Sequence, residues 1–339
     1  MRRRRLVAVL LAAVSVGGAA AGCSANPFGG SAALTVYSGR NPNLVDPLLD
    51  MFEKETGIEV KRRYGGTAEL AAQILEEGAK TRADVFFAQD AGALGALQKA
   101  DVLGPLEVGT DSVPARFKAP DGTWVGVSGR ARVIVYDERT LTESAVPDSV
   151  FALTEPTWKG RFGIAPTNAS FQSFVTGMRV LTGEARTEKW LRDIQANGVK
   201  EYDNNIAVLE AVDRGEVDLG LINHYYWFEM AKERGKDALN AQVKFLGNND
   251  PGALVNVAGV AILKGTDRRK DAQKLVEYLL STPAQTYFRD VTFEYPLVGG
   301  VTPATGLPPL TEVSGPQIEL ADLDTLEDTL ALLDRSGLT

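Results

Sequence analysis

The chain is poor in the side chains from which soft-metal sites and most hydrolases are built. It contains one cysteine, Cys23, and one histidine, His224, among 339 residues. A single cysteine cannot form a disulfide within the chain, and the same count excludes a Cys/His zinc site. His224 is the only possible centre of a Ser-His-Asp arrangement. No G-x-S-x-G elbow, P-loop or H-E-x-x-H occurs in the sequence. Positive charge is also scarce, with 36 Lys and Arg against 44 Asp and Glu, a formal −8. Four of those arginines are Arg2 to Arg5, so the chain beyond residue 22 carries −12. Nucleic acid is an unfavourable partner for such a surface, because phosphate neutralisation requires a basic one. Past residue 21 no apolar run is long enough to span a bilayer.

The N-terminus combines that basic cluster with an apolar run from Leu6 to Ala21 and then Gly22–Cys23. The run is shorter than the roughly 20 residues of a spanning helix. A charged segment, a short apolar segment and a small-residue boundary make residues 1–22 a secretory signal. Ala20–Ala21–Gly22–Cys23 looks like a bacterial lipobox, with alanine where a larger aliphatic residue is more usual. Cys23 is therefore the expected lipidation site. The Gly-, Ser- and Pro-containing stretch 23–33 reads as a tether. Export and a lipid anchor on the outer face of the cell membrane follow as expectations.

The body begins with a β-α alternation. Strand patterns over 33–38, 58–64 and 84–88 alternate with helical patterns over 43–57, 69–78 and 92–100. Alternation of this kind predicts an α/β fold with mainly parallel strands, whose ligands bind beyond the strand carboxyl ends. Two long strand patterns, 125–136 and 253–263, flank a central block with further strands at 162–165, 199–202 and 217–222. They predict two crossings between two lobes. Residues 34–131 with 257–306 form lobe one, and 132–256 with 307–339 form lobe two. The C-terminal helix, near 323–333, is expected on lobe two.

The segment 221–229, LINHYYWFE, leaves the 217–222 strand at its carboxyl end. Two adjacent tyrosines there, Tyr225 and Tyr226, can both turn into a cleft. Phenolate is a hard oxygen donor suited to a hard trivalent cation. Such a cation lowers the ordinary tyrosine pKa of about 10. Aromatic residues near a helix start also serve as packing, and from spacing alone that role is the favoured one.

The segments VYSGRN (36–41), ADVFFAQD (83–90), SGRARVIVYD (128–137), APTNASF (165–171), NNIAVLEAV (204–212), LINHYYWFE (221–229), DPGALV (250–255) and EYPL (294–297) occur in that order. Together they resemble the ferric-iron-binding proteins of ABC importers, over nearly the whole mature chain. The resemblance implies a type II periplasmic-binding fold of two lobes, each a mixed sheet flanked by helices, with a hinge. It implies Fe(III) as transported ligand, a synergistic anion such as phosphate or carbonate, and a membrane permease as partner of a monomer. It carries over Tyr225 and Tyr226 as metal ligands. Asn168, Ala169, Ser170, Asn205 and Asn223 match the anion positions. Asn41 and Gln89 stand where one subgroup of the family has a histidine and a glutamate, and they are possible metal or cleft residues. Fe(III) with two phenolates retains a net +1 that Gln89 cannot neutralise, so a heavier dependence on the anion is expected. His224 is expected to stay off the metal, and Arg40 to form a salt bridge rather than an anion contact. Arg130 and Arg132 are expected in a structural pairing, and Asp90 beside a metal-bound water. No catalysis is expected. Two other readings stay open: the same fold holding thiamine, a polyamine or a phosphonate, and an exported hydrolase centred on His224.

Overall fold

The computed structural model describes residues 33–247, 249–313 and 315–338. The signal segment, Cys23 and the tether up to residue 32 lie outside the described residues. No helix among the described residues is long and apolar enough to cross a membrane.

The first strand, β1 (Leu34–Ser38), leads into α1 (Pro42–Thr56), β2 (Val60–Tyr64), α2 (Thr67–Glu77), β3 (Val85–Ala88) and α3 (Ala91–Lys99). The helices form where the apolar spacing places one face on the sheet. In α1, Val45, Leu48, Leu49 and Phe52 are buried, and Gly57 ends the helix in a left-handed conformation with φ of 70°. A short β4 (Leu103–Gly104) precedes the long β5 (Trp124–Asp137). The chain continues through β6 (Phe162–Ile164), α4 (Ala169–Thr182), α5 (Glu184–Ala196), β7 (Lys200–Glu201), α6 (Asn205–Asp213), β8 (Leu219–Asn223) and α7 (His224–Arg234). It ends with β9 (Ala241–Phe245), β10 (Val255–Leu263), α8 (Arg269–Leu279), α9 (Thr282–Asp290), β11 (Tyr295–Pro296) and α10 (Leu326–Arg335).

The strand order is β2-β1-β3-β10-β5-β8-β6-β7. β1 pairs in parallel with β2 and β3, whereas β10 runs antiparallel to β3. All residues of β5 are buried, and the strand changes partners midway. It pairs with β10 from Trp124 to Ala131, and with β8 from Arg132 to Tyr136. β9 lies on the other edge of that second half. Two mixed sheets therefore share one strand, and helices flank both.

The C-terminal region touches helices that flank both sheets. α10 meets α4 through buried Thr176 and Thr329, whose hydroxyls are 2.8 Å apart. The preceding turn, Leu320–Asp324, instead packs its backbone on α3. Gly92 and Gly95 permit this approach. A Cβ on either would lie 2.3 Å from the Leu323 or Ala321 carbonyl oxygen.

Candidate functional site

β8 ends at Asn223 and α7 begins at the next residue. A helix starting directly at a strand's carboxyl end presents its first side chains at the sheet edge. Tyr225 and Tyr226 are among them. Their rings lie 4.2 Å apart at an angle of 34°. Tyr225 is buried and Tyr226 half-buried. Burial holds both phenols protonated, raising Tyr226 above its usual 10 and Tyr225 well above it.

Three arginines, all buried, surround this helix start: Arg40, Arg130 and Arg132. Arg40 donates to Glu294 Oε2 at 2.6 Å, with both side chains excluded from solvent, and to Gln89 Oε1 at 2.8 Å. The expected Arg40 salt bridge is thus present. Arg130 donates to the Gln89 carbonyl and lies 3.9 Å from Glu294 Oε1. It has the structural partner expected of it. Arg132 does not, and here the structure corrects the sequence reading. Its guanidinium has no carboxylate partner among the described residues. It reaches only Ser170 Oγ and Asn223 Oδ1, both at 3.3 Å, and the Leu221 carbonyl at 3.4 Å. Its Nε is buried without a hydrogen-bond partner. Phe171 and Phe174 face it at 5.5 and 5.2 Å. Burial lowers its pKa to about 9.

Those contacts join Arg132 to a polar cluster. Asn168 caps α4, its Oδ1 accepting from the Ser170 N–H at 3.0 Å and from Ser170 Oγ at 2.7 Å. Asn205, at the start of α6, donates to Asn168 Oδ1 at 3.0 Å and to Ser170 Oγ at 3.1 Å. Its own Oδ1 is buried without a partner. Asn168, Ser170, Asn205 and Asn223 therefore converge on Arg132, and Ala169 opens the helix beside them. A cavity lined by Gln89, Asp90, Arg130, Arg132, Ser170 and Asn223, among others, connects this cluster to the first sheet. A helix N-terminus with an uncompensated guanidinium is chemically suited to an anion.

Other expected residues are placed differently. Asn41 is exposed and caps α1, accepting from the Asn43 N–H at 3.0 Å. Asp90 caps α3, accepting from Gly92 N–H at 3.0 Å and Ala93 N–H at 3.4 Å. Burial raises its carboxyl pKa, and Arg130 opposes that rise. His224 is fully buried, accepting through Nδ1 from the Ala131 N–H at 3.1 Å and donating through Nε2 to the Phe293 carbonyl at 2.8 Å. Burial lowers its pKa to about 4, so it is neutral at ordinary pH.

Sequence reasoning gave no site role to Glu294 or Glu229. Glu294 lies 254 positions from Arg40, a separation no local pattern reveals. Glu229 follows the tyrosines by one helical turn, and that spacing was a readable signal. It is half-buried, and burial followed by repulsion from Glu294 raises its carboxyl pKa to about 7.

The model of the family described as bacterial extracellular solute-binding protein matches residues 76–310. The chain belongs to this family. Among curated relatives, the major ferric iron-binding protein of Neisseria meningitidis is 37% identical over 311 residues, covering 90% of this chain and 93% of the relative. The Fe(3+)-binding periplasmic protein of Serratia marcescens is 32% identical over 318 residues, covering 92% and 94%. Among solved structures, iron-bound HitA from Pseudomonas aeruginosa superposes with a TM-score of 0.84 at 37% identity, covering 90% of this chain and 99% of that one. Trichodesmium IdiA (FutA) in complex with iron and citrate superposes with a TM-score of 0.77 at 30% identity, covering 91% and 100%. The solute-binding protein thus has the type II periplasmic-binding fold, with two lobes of α/β structure. Within that fold the tyrosine pair and the asparagine–arginine cluster occupy neighbouring strand ends.

Proposed function

We propose that this solute-binding protein takes up Fe(III) together with an anion and delivers the iron to the permease of an ABC importer. The carrying observation is the placement of two phenols, one buried and one half-buried, beside a polar cluster that contains an arginine without a carboxylate partner. Tyr225 and Tyr226 act as the metal ligands. The phenols are neutral in the empty protein, so a ferric ion displaces two protons as it binds. Asn168, Ala169, Ser170, Asn205, Asn223 and Arg132 receive the anion, which balances the guanidinium. Gln89 contributes through its contact with Arg40, whereas Asn41 is a helix cap that loop movement would have to bring in.

The two lobes, 34–131 with 257–306 and 132–256 with 307–339, close on the ligand by a hinge. The change of partners in β5 between Ala131 and Arg132 supports that pivot. Packing of Leu320–Asp324 on α3 ties part of the tail to the first lobe. The protein acts as a monomer, without catalysis, exported and anchored by a lipid on Cys23; the lipobox-like residues 20–23 support that anchor. A ferric citrate titration followed by visible absorbance tests the reading. Tyrosinate–iron charge transfer should colour the wild type, and the Tyr225→Phe/Tyr226→Phe double variant should stay colourless. No band in the wild type, together with thermal stabilisation by thiamine, a polyamine or a phosphonate, would transfer the site to that ligand.

A further inference from the structure

Glu229 is unexplained by anything above. Successive α-helical residues are rotated by about 100°, so Glu229 projects between Tyr225 and Tyr226, one turn further along α7. Helical side chains lean back over the preceding turn, which here carries the tyrosines. The carboxyl group is half-buried, yet it makes no hydrogen bond or ion pair among the described residues. The cations near it are engaged elsewhere. Arg40 binds Glu294 and Gln89. Lys232 donates to the Asp290 carbonyl at 3.0 Å and lies 5.2 Å from the Phe293 ring. The other groups in its field are Glu294 and Tyr226. Neither carboxyl oxygen is sealed off from solvent, so the group is open to a ligand that approaches the tyrosines.

We propose that Glu229 is the carboxylate that completes the charge of the ferric site. It takes the part of the glutamate that the family resemblance places at Gln89. This rests on the ferric reading given above. A trivalent cation with two phenolates carries +1; Gln89 adds nothing, and Glu229 brings the sum to zero. The anion is then left to balance Arg132 instead of the metal.

Glu229→Gln and Glu229→Asp test the inference, with Glu233→Gln, an exposed carboxylate on the same helix, as control. Fe(III) affinity is measured by citrate competition, the charge-transfer band by absorbance, and the iron-free melting temperature by calorimetry. E229Q should bind Fe(III) at least tenfold more weakly, shift the band, and melt no lower than wild type. E229D should stay within a few-fold of wild type, and E233Q should match it throughout. Wild-type affinity and band in E229Q would overturn the proposal, as would an E229D loss as large as that of E229Q. A lower melting temperature with unchanged affinity would make Glu229 structural and overturn it equally. Absence of a band in wild type would instead overturn the ferric reading itself.

Discussion

Replacing Arg132 by methionine separates the cost of its charge from its use. The side chain is 3% exposed, and burial lowers its pKa from 12.5 to about 9. Holding it protonated in the fold therefore costs on the order of 5 kcal/mol at neutral pH, at about 1.4 kcal/mol per pKa unit. The rings of Phe171 and Phe174 offset up to about 2 kcal/mol of that. Its polar contacts, at 3.3 to 3.4 Å, are long and offset less. Methionine retains the aliphatic stem against those rings and removes the charge. Arg132→Met should thus raise the stability of the anion-free protein by about 1–3 kcal/mol, as replacement of buried charges by apolar groups does elsewhere. The assay is thermal unfolding in buffer stripped of phosphate, carbonate and citrate, repeated with each anion restored. Wild type should gain about 2.7 kcal/mol at an anion concentration one hundredfold above Kd. The variant should gain far less. A variant that is destabilised yet keeps the full anion response would refute the reasoning, since Arg132 would then be a structural residue that no anion touches.

Three further outcomes follow from the same geometry. Because both phenols are protonated in the empty protein, apparent Fe(III) affinity should rise about a hundredfold per pH unit near pH 8, and only about tenfold in Tyr226→Phe; chelator competition across pH measures both slopes. His224 has a pKa of about 4 in the fold and about 6.5 unfolded, so the unfolded chain binds more protons between those values. Stability should fall by up to about 3 kcal/mol as pH drops through that window; His224→Gln should flatten the profile in urea melts. Gly95→Ala should destabilise by about 1–3 kcal/mol in the same melts, because its Cβ would meet the Ala321 carbonyl at 2.3 Å.

Much of the fold was legible because its signals are local. Apolar spacing in α1 and α3 and the strand runs of β1, β3, β5 and β10 mark those elements within one or two residues. Asn168 and Gly57 bound α4 and α1 as cap residues. The short strands β4 and β11 were not, since a two-residue ladder leaves no periodicity. β9 was missed because Gln242 and Lys244 interrupt its apolar character. α7 is aromatic on several sides, so its sequence marked a helix start but not the helix's extent. In the site, the ordered segments indicated the tyrosines and the asparagine loop. The roles of the arginines depended on partners far away in sequence. Arg130 and Arg132 are two apart on β5 and look equivalent, yet only Arg130 lies within ion-pair distance of Glu294. Glu294 itself is supplied by the segment preceding β11, after the chain has traversed both sheets.

A crystal structure of the iron-loaded protein, with an anomalous difference map collected at the iron edge, tests the central claim most directly. The account predicts a single strong peak within bonding distance of the Tyr225 and Tyr226 phenolate oxygens, with anion density against Arg132 and the start of α4. Iron bound away from both tyrosines, or no peak in a protein saturated with ferric citrate, would contradict it.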